Sequence, residues 1–224
     1  MLDKKEIVMT NEGLIKKIIL LYTKARKSVF PHDRIARGES HSISSQTEDL
    51  LAYFLIQKLP SDTRIFINQT ITSGSKEERI RVKPDIVIVR NKQIRAILDL
   101  KMDLGYMRNE FPVFWDERDA LIPRMRNKEF SMFQKDGNKT IPLLLEFAER
   151  TKLFFVVVSD QNINSRKLSE VKNRQGKKQY SETFILTKEV HPNSYKYSAN
   201  DLIYKIKINA DGIQSLIDEL KSIV

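Results

Sequence analysis

Two carboxylates and one ammonium stand where they can do chemistry together: Asp85, directly after Pro84, and Asp99 and Lys101, separated by Leu100. They border two strongly apolar runs, Ile86-Val87-Ile88-Val89 and Ile94 to Leu98. Like charges facing each other across paired strands are destabilising. Buried charges are costly unless they are paired or bind a metal. A divalent cation between Asp85 and Asp99 is the simplest resolution, and two acids with a neighbouring base suit hydrolysis assisted by a metal.

Whether the acids meet depends on the turn at Asn91-Lys92, with or without Gln93. A three-residue loop pairs Arg90 with Ile94 and, counting back, sets Asp85 opposite Asp99. A two-residue loop slips the register by one position, and Asp85 then faces Leu98. Directly opposite Cβ atoms lie about 4.5–5.5 Å apart, close enough for two short carboxylates to share one hard cation. Side chains alternate faces along a strand, so Asp99 and Lys101 point one way and Leu100 the other. Asp103 continues the first face as a spare acid.

The pattern Pro84-Asp85, thirteen residues (86 to 98), then Asp99-Leu100-Lys101 resembles that of the PD-(D/E)xK nuclease superfamily, which includes most type II restriction endonucleases. The resemblance implies an α/β fold with a restriction-endonuclease-like core of helix, three strands, helix and strand. Its mixed central sheet would be flanked by helices. The same order is readable here. Ser45 to Lys58 is an amphipathic helix with Leu50, Leu51, Phe54 and Leu55 on its apolar side. Arg64 to Thr70, Arg81 to Val89 and Gln93 to Lys101 read as the three strands. Ile141 to Thr151 reads as the second helix, with Pro142 tolerated in its first turn, and Leu153 to Ser159 as a buried strand.

The resemblance covers roughly residues 45–159 of a single nuclease domain spanning 1–224. An N-terminal helix at 11–27 and C-terminal strands and a helix within 160–224 are additions. It implies Mg²⁺, with Mn²⁺ able to substitute, held by Asp85 and Asp99. Lys101 would stabilise charge on the phosphate or orient the attacking water, leaving a 5′-phosphate and a 3′-hydroxyl. Glu48 has two readings. In many members of the superfamily a glutamate on the first core helix completes the metal site. In this chain Ser45-Gln46-Thr47-Glu48 also fits a capping box. For Asp85, Asp99 and Lys101 the competing reading is a turn residue and an ordinary solvated strand end.

Composition agrees with a polyanionic partner. The 224 residues carry 39 Lys and Arg against 29 Asp and Glu, a formal net charge of +10. Basic surfaces bind phosphates with release of counterions. Cysteine is absent, which removes disulfides, zinc-cysteine sites, cysteine catalysis and iron–sulfur clusters. With 41% hydrophobic residues there is material for one substantial core. No stretch approaches the roughly 18 apolar residues of a spanning helix, and the first residues lack the apolar run of a signal peptide. The expectation is a cytoplasmic protein without a membrane partner.

The remaining segments offer recognition surfaces. Residues 28–44 hold His32, Arg37 and His41; the two histidines, with Glu39 between them, form a faint second metal pattern. Residues 104–140 interleave aromatic and basic groups, readable as a stacking surface for nucleic acid or as helices packed over the sheet. Residues 161–181 carry Arg166, Lys167, Lys172, Arg174, Lys177 and Lys178 with few large apolar residues. With Arg37 these are the candidate DNA contacts, and a flexible excursion between strands is the rival reading. Asn68-Gln69-Thr70 matches a glycosylation pattern by accident. Thr183 to Lys188 and Leu202 to Ile208 read as strands, and the chain closes with a helix from about Asp211, in a sheet of five or six strands.

The functional expectation is a Mg²⁺-dependent endonuclease cutting double-stranded DNA, as a sequence-specific type II restriction enzyme acting as a homodimer. A structure-directed repair or recombination nuclease of the same fold is the first alternative. A non-catalytic nucleic-acid-binding module is the second.

Overall fold

The computed structural model describes residues 8–29, 33–34, 39–74, 79–105, 107, 109–136, 139–175 and 177–224. Helix α1, Asn11–Ala25, starts at Thr10, whose hydroxyl accepts from the Gly13 amide at 3.0 Å. That bond satisfies one of the donors a helix start leaves free. Helix α2, Ser44–Ile56, packs beside it. The chain then forms β1 (Arg64–Ile67), β2 (Ile71–Ser73), β3 (Ile80–Val82), β4 (Ile86–Arg90) and β5 (Gln93–Lys101). Helix α3 (Phe111–Met125) and strands β6 (Glu129–Asp136) and β7 (Lys139–Ser159) follow. The chain ends with α4 (Ser165–Gln175), β8 (Ser181–Lys188), α5 (Ala199–Lys205), β9 (Lys207–Ile208) and α6 (Ala210–Ile223).

These elements make an α/β fold with a mixed central sheet flanked by helices. The described strands form one nine-stranded sheet in the order β1-β4-β5-β7-β6-β2-β3, with β8 beside β7 and β9 beside β8. β1, β4 and β5 are antiparallel neighbours, whereas β5, β7 and β8 run parallel. The start of β4 and the ends of β5, β7 and β8 therefore share one end of the sheet.

Alternation along the strands divides the core into two layers. Ile86, Ile88, Leu98 and Leu100 join α1, α2 and α6 through Leu14, Phe54, Leu55 and Leu216. Val87, Val89 and Ile97 join α3 through Phe111 and Trp115 on the other face. Each such buried side chain stabilises the fold by about 1.5–3 kcal/mol relative to exposure. Trp115 also donates from its indole to Ser181 Oγ at 2.7 Å, tying α3 to β8.

Several elements differ from the sequence expectation. Ile141 to Thr151 is not a helix but the middle of β7. Leu145 and Phe147 are buried while Leu144 and Glu146 are exposed, a period of two. The helix between β5 and β7 is α3, whose Pro112 sits in the tolerated first turn. The 81–89 strand is interrupted, because Pro84 has no N–H for a ladder, and so splits into β3 and β4. The 64–70 strand ends at Ile67, where Asn68 takes a left-handed conformation at φ 55. Residues 202–205 belong to a helix, α5, rather than to a strand: Ser198 and Asp201 build a capping box at its start, and only the two-residue β9 follows. Residues 161–181 are not an excursion but carry α4, which Asn164 starts by accepting from the Lys167 amide at 2.8 Å. Val171 anchors that helix, buried against the α3 layer. The sheet exceeds five or six strands because β2, β3, β6 and β9 extend it. Among the described residues no helix is long and apolar enough to cross a membrane.

Candidate active site

The turn between β4 and β5 is the two-residue one: Arg90 pairs with Gln93 and Val89 with Ile94. Asn91 and Lys92 both adopt positive φ, 53 and 58, the geometry of a tight hairpin turn. Alone, that register sets Asp85 against Leu98. The ladder then shifts between Ile88 and Val89, so that Ile88 pairs with Ala96 and Ile86 with Leu98. One further step along this register sets Asp85 opposite Asp99. A bulge, with one extra residue in one strand, thus restores what the turn alone removes.

Parity places both acids on the α3 face, Asp85 with Val87 and Asp99 with Ile97. Asp85 is fixed from three directions. Its Oδ2 accepts from the Leu100 amide at 2.6 Å, its carbonyl accepts from the Asn68 amide at 2.8 Å, and its own amide donates to Asp99. Asp99 is only 5% exposed. Burial pushes its carboxyl above the ordinary range; Lys101 and Arg118 oppose this, and Asp85 adds to it.

Lys101 and Arg118 share one ring. Their charged groups lie 5.4 and 5.1 Å from the Phe114 centroid, and Arg118 Nε is 3.9 Å from Asp99 Oδ2. Such cation–ring contacts stabilise by about 0.5–1 kcal/mol at exposed sites. The acid pair therefore faces a pair of cations held on α3 and β5.

Glu48 does not act as a cap. Helix α2 begins one residue before Ser45, with Ile43 at its N-cap position and no side-chain cap bond. Glu48 is buried, and its carboxylate instead accepts from the Asn68 side-chain amide. Asn68 thus joins Glu48 to the Asp85 peptide. Burial first and the Asp85 charge second push the Glu48 carboxyl up, more than the Asn68 bond and Lys83 lower it.

Sequence reasoning missed Arg118 and Asn68 as members of this cluster. Arg118 has a readable signal, since Phe114 and Arg118 stand at helical i, i+4 spacing. Asn68 has none, because its role depends on a turn. Asp103 leaves the site: it lies beyond the end of β5 and bonds to His191, Asn162 and the Gly105 amide. Phe111, Trp115 and Phe130 are buried and present no stacking surface. Among the proposed DNA contacts, Arg174 and Lys178 pair with Asp116 at 3.0 and 2.5 Å, and Arg166 and Lys167 pair with Glu170. Lys172 and Lys177 are exposed. Arg37 and His32 lie outside the described residues.

Among the described residues no group of three or more Asp, Glu and His side chains is gathered closely enough to cage a metal. Mg²⁺ commonly takes one or two protein carboxylates and fills its shell with water and phosphate. Two opposed carboxylates whose ionised forms destabilise each other fit that donor set. Compared with family models, curated proteins and solved structures, the chain finds no match in any of the three.

Proposed function

We propose that this protein is a metal-dependent endonuclease of DNA with a restriction-endonuclease-like core, its centre built on Asp85, Asp99 and Lys101. The observation that carries the reading is the bulged β4–β5 register, which sets two acids opposite each other with Lys101 on the same face. The order α2, β1, β4, β5, α3, β7, with β5 and β7 parallel, supports the core that the sequence motif implies.

In this reading Asp85 and Asp99 hold Mg²⁺, or Mn²⁺ in its place, with Glu48 bound directly or through water. The ion supplies a polarised phosphate and a bound water of lowered pKa. The chain's own groups do the rest. Lys101 and Arg118 place positive charge beside the acids, where negative charge grows on the phosphate oxygens. Phe114 limits their freedom, which favours preorganisation. The Leu100 and Asn68 amides hold Asp85 in place.

Specific double-stranded DNA is the proposed substrate, cut as by a type II restriction enzyme and by a homodimer that mirrors a palindromic site. Elements outside the core, α4 and the β6–β7 hairpin, offer surfaces for recognition. Incubation of the protein with plasmid and phage DNA, with Mg²⁺ or with EDTA, tests this. Discrete Mg²⁺-dependent fragments are expected. A Mg²⁺-dependent smear contradicts sequence specificity, and intact DNA under all conditions contradicts the enzyme.

A further inference from the structure

A second polar concavity lies at the same end of the sheet and takes no part in the proposed cleavage. It is a cleft of about 590 Å³ lined by Tyr22 of α1, Asp103 after β5, Asn162 after β7, and His191, Asn193 and Tyr195 between β8 and α5. That volume falls in the range of small-molecule sites, about 300–1,000 Å³.

Its walls are set in advance. Tyr195 is 67% exposed, yet the Arg26 guanidinium lies 4.3 Å from its ring centroid. Arg26 is itself anchored by Asn193 Oδ1 at 3.1 Å and the Ser194 carbonyl at 3.0 Å. A ring backed on one side by a fixed cation is a platform for another planar group on the other. Other parts of the lining are polar. His191 Nδ1 accepts from the Asn193 amide at 2.9 Å, which assigns the ring proton to Nε2, 3.2 Å from Asp103 Oδ2. Asp103 also accepts from Asn162 Nδ2 at 2.8 Å and the Gly105 amide at 2.7 Å. A carboxylate has about four acceptor positions, so one remains for an amino group such as that on a base edge.

We propose that this cleft binds one unstacked nucleotide of the DNA strand leaving the cleavage site, its base on Tyr195 and its amino edge towards Asp103. The assignment rests on the nuclease reading for the origin of the strand. Asp103 stands two residues beyond Lys101. The cleft opens beside Tyr22 on the α1 layer and the acids lie on the α3 layer, so a strand leaving the acids rounds the end of the sheet to reach it. A base in duplex must first be unstacked, at a cost of a few kcal/mol. The cleft therefore favours single strands.

The test is fluorescence anisotropy of a labelled single-stranded hexanucleotide against the full chain in EDTA, with wild type, Tyr195→Leu and Tyr195→Phe. Tyr195→Leu is expected to bind about 5- to 150-fold more weakly, the equivalent of about 1–3 kcal/mol of base stacking. Tyr195→Phe should stay within about twofold, since its ring still stacks. Unlabelled dCMP should displace the oligonucleotide from wild type. Displacement only by longer strands still supports the cleft and shows that neighbouring phosphates are required. Equal affinity of Tyr195→Leu and wild type overturns the proposal. Because binding is read without metal, a protein that cuts DNA while Tyr195→Leu binds normally loses only the cleft. A protein that never cuts but needs Tyr195 to bind loses only the nuclease reading.

Discussion

Asp99→Asn is expected to make the metal-free protein more stable while ending its chemistry. Burial is the largest influence raising the Asp99 carboxyl, and the opposed Asp85 charge adds a smaller push. The asparagine gives up the attraction of Lys101 and of Arg118, 3.9 Å from the carboxylate, each of which outweighs the Asp85 repulsion but not burial. It keeps an oxygen for the Asp85 amide. Because the raised carboxyl leaves a net cost to the ionised form, the gain is on the order of 1 kcal/mol, or roughly 2–4 °C in Tm for a chain of this length.

The pH dependence follows from the raised carboxyl. The folded protein holds its Asp99 proton to higher pH than the unfolded chain does. Stability from that proton is therefore complete below the unfolded value, about 3.9, and is lost as pH rises through the folded one. The variant should match wild type near about pH 4 and exceed it at neutral pH. Excess Mg²⁺ should reverse the order, since ligand at a hundredfold over Kd adds about 2.7 kcal/mol to the protein that binds it. Thermal melts across pH, in EDTA and in Mg²⁺, measure both effects. A variant that melts below wild type in neutral EDTA, or a Mg²⁺ shift equal in both proteins, refutes the reasoning.

Other predictions rest on the same geometry. Lys101→Ala should slow single-turnover cleavage by about 10²–10³-fold, the usual effect of losing one charge-stabilising donor, with DNA affinity in EDTA little changed. Ser45→Ala should alter urea-unfolding stability by less than about 0.5 kcal/mol, whereas loss of a true cap costs about 1 kcal/mol. Glu48→Gln should stabilise the metal-free protein at neutral pH, because its buried carboxyl, like that of Asp99, loses stability as pH rises through its raised value. In α4, Arg166→Glu with Lys172→Glu should lower the slope of log affinity against log salt by about 2 if both meet phosphates. An unchanged slope removes this helix from the DNA surface.

The acids are legible in the sequence because their neighbourhood is local. Four β-branched residues after Asp85, a short polar turn and the apolar run to Leu98 specify a hairpin without help from the rest of the fold. The bulge is not legible, since nothing in Arg95 marks an extra residue; the pairing of β5 with β7 also shifts there, between Ile94 and Ala96. The long β7 reads as a helix because its first half is rich in leucine, a good helix former. Gly137-Asn138, a recognised hairpin dipeptide, is the available counter-signal. In α5, alternation from Leu202 to Ile208 imitates a strand, yet Leu202 and Ile206 are the buried pair, four apart as in a helix. The Glu48 side chain meets the capping pattern but finds a stronger partner in Asn68, twenty residues away. Arg118 reaches Asp99 only once α3 has docked on the sheet. Contacts of that kind depend on tertiary packing rather than on local pattern.

The most direct measurement is cleavage of defined duplex DNA by wild type and Asp99→Asn, side by side, in Mg²⁺ and in EDTA. Fragments with 5′-phosphate ends should form only with wild type in Mg²⁺, while Asp99→Asn remains folded, binds DNA and leaves it whole. Equal cutting by Asp99→Asn, or cutting by wild type in EDTA, contradicts a metal centre built on the opposed acids.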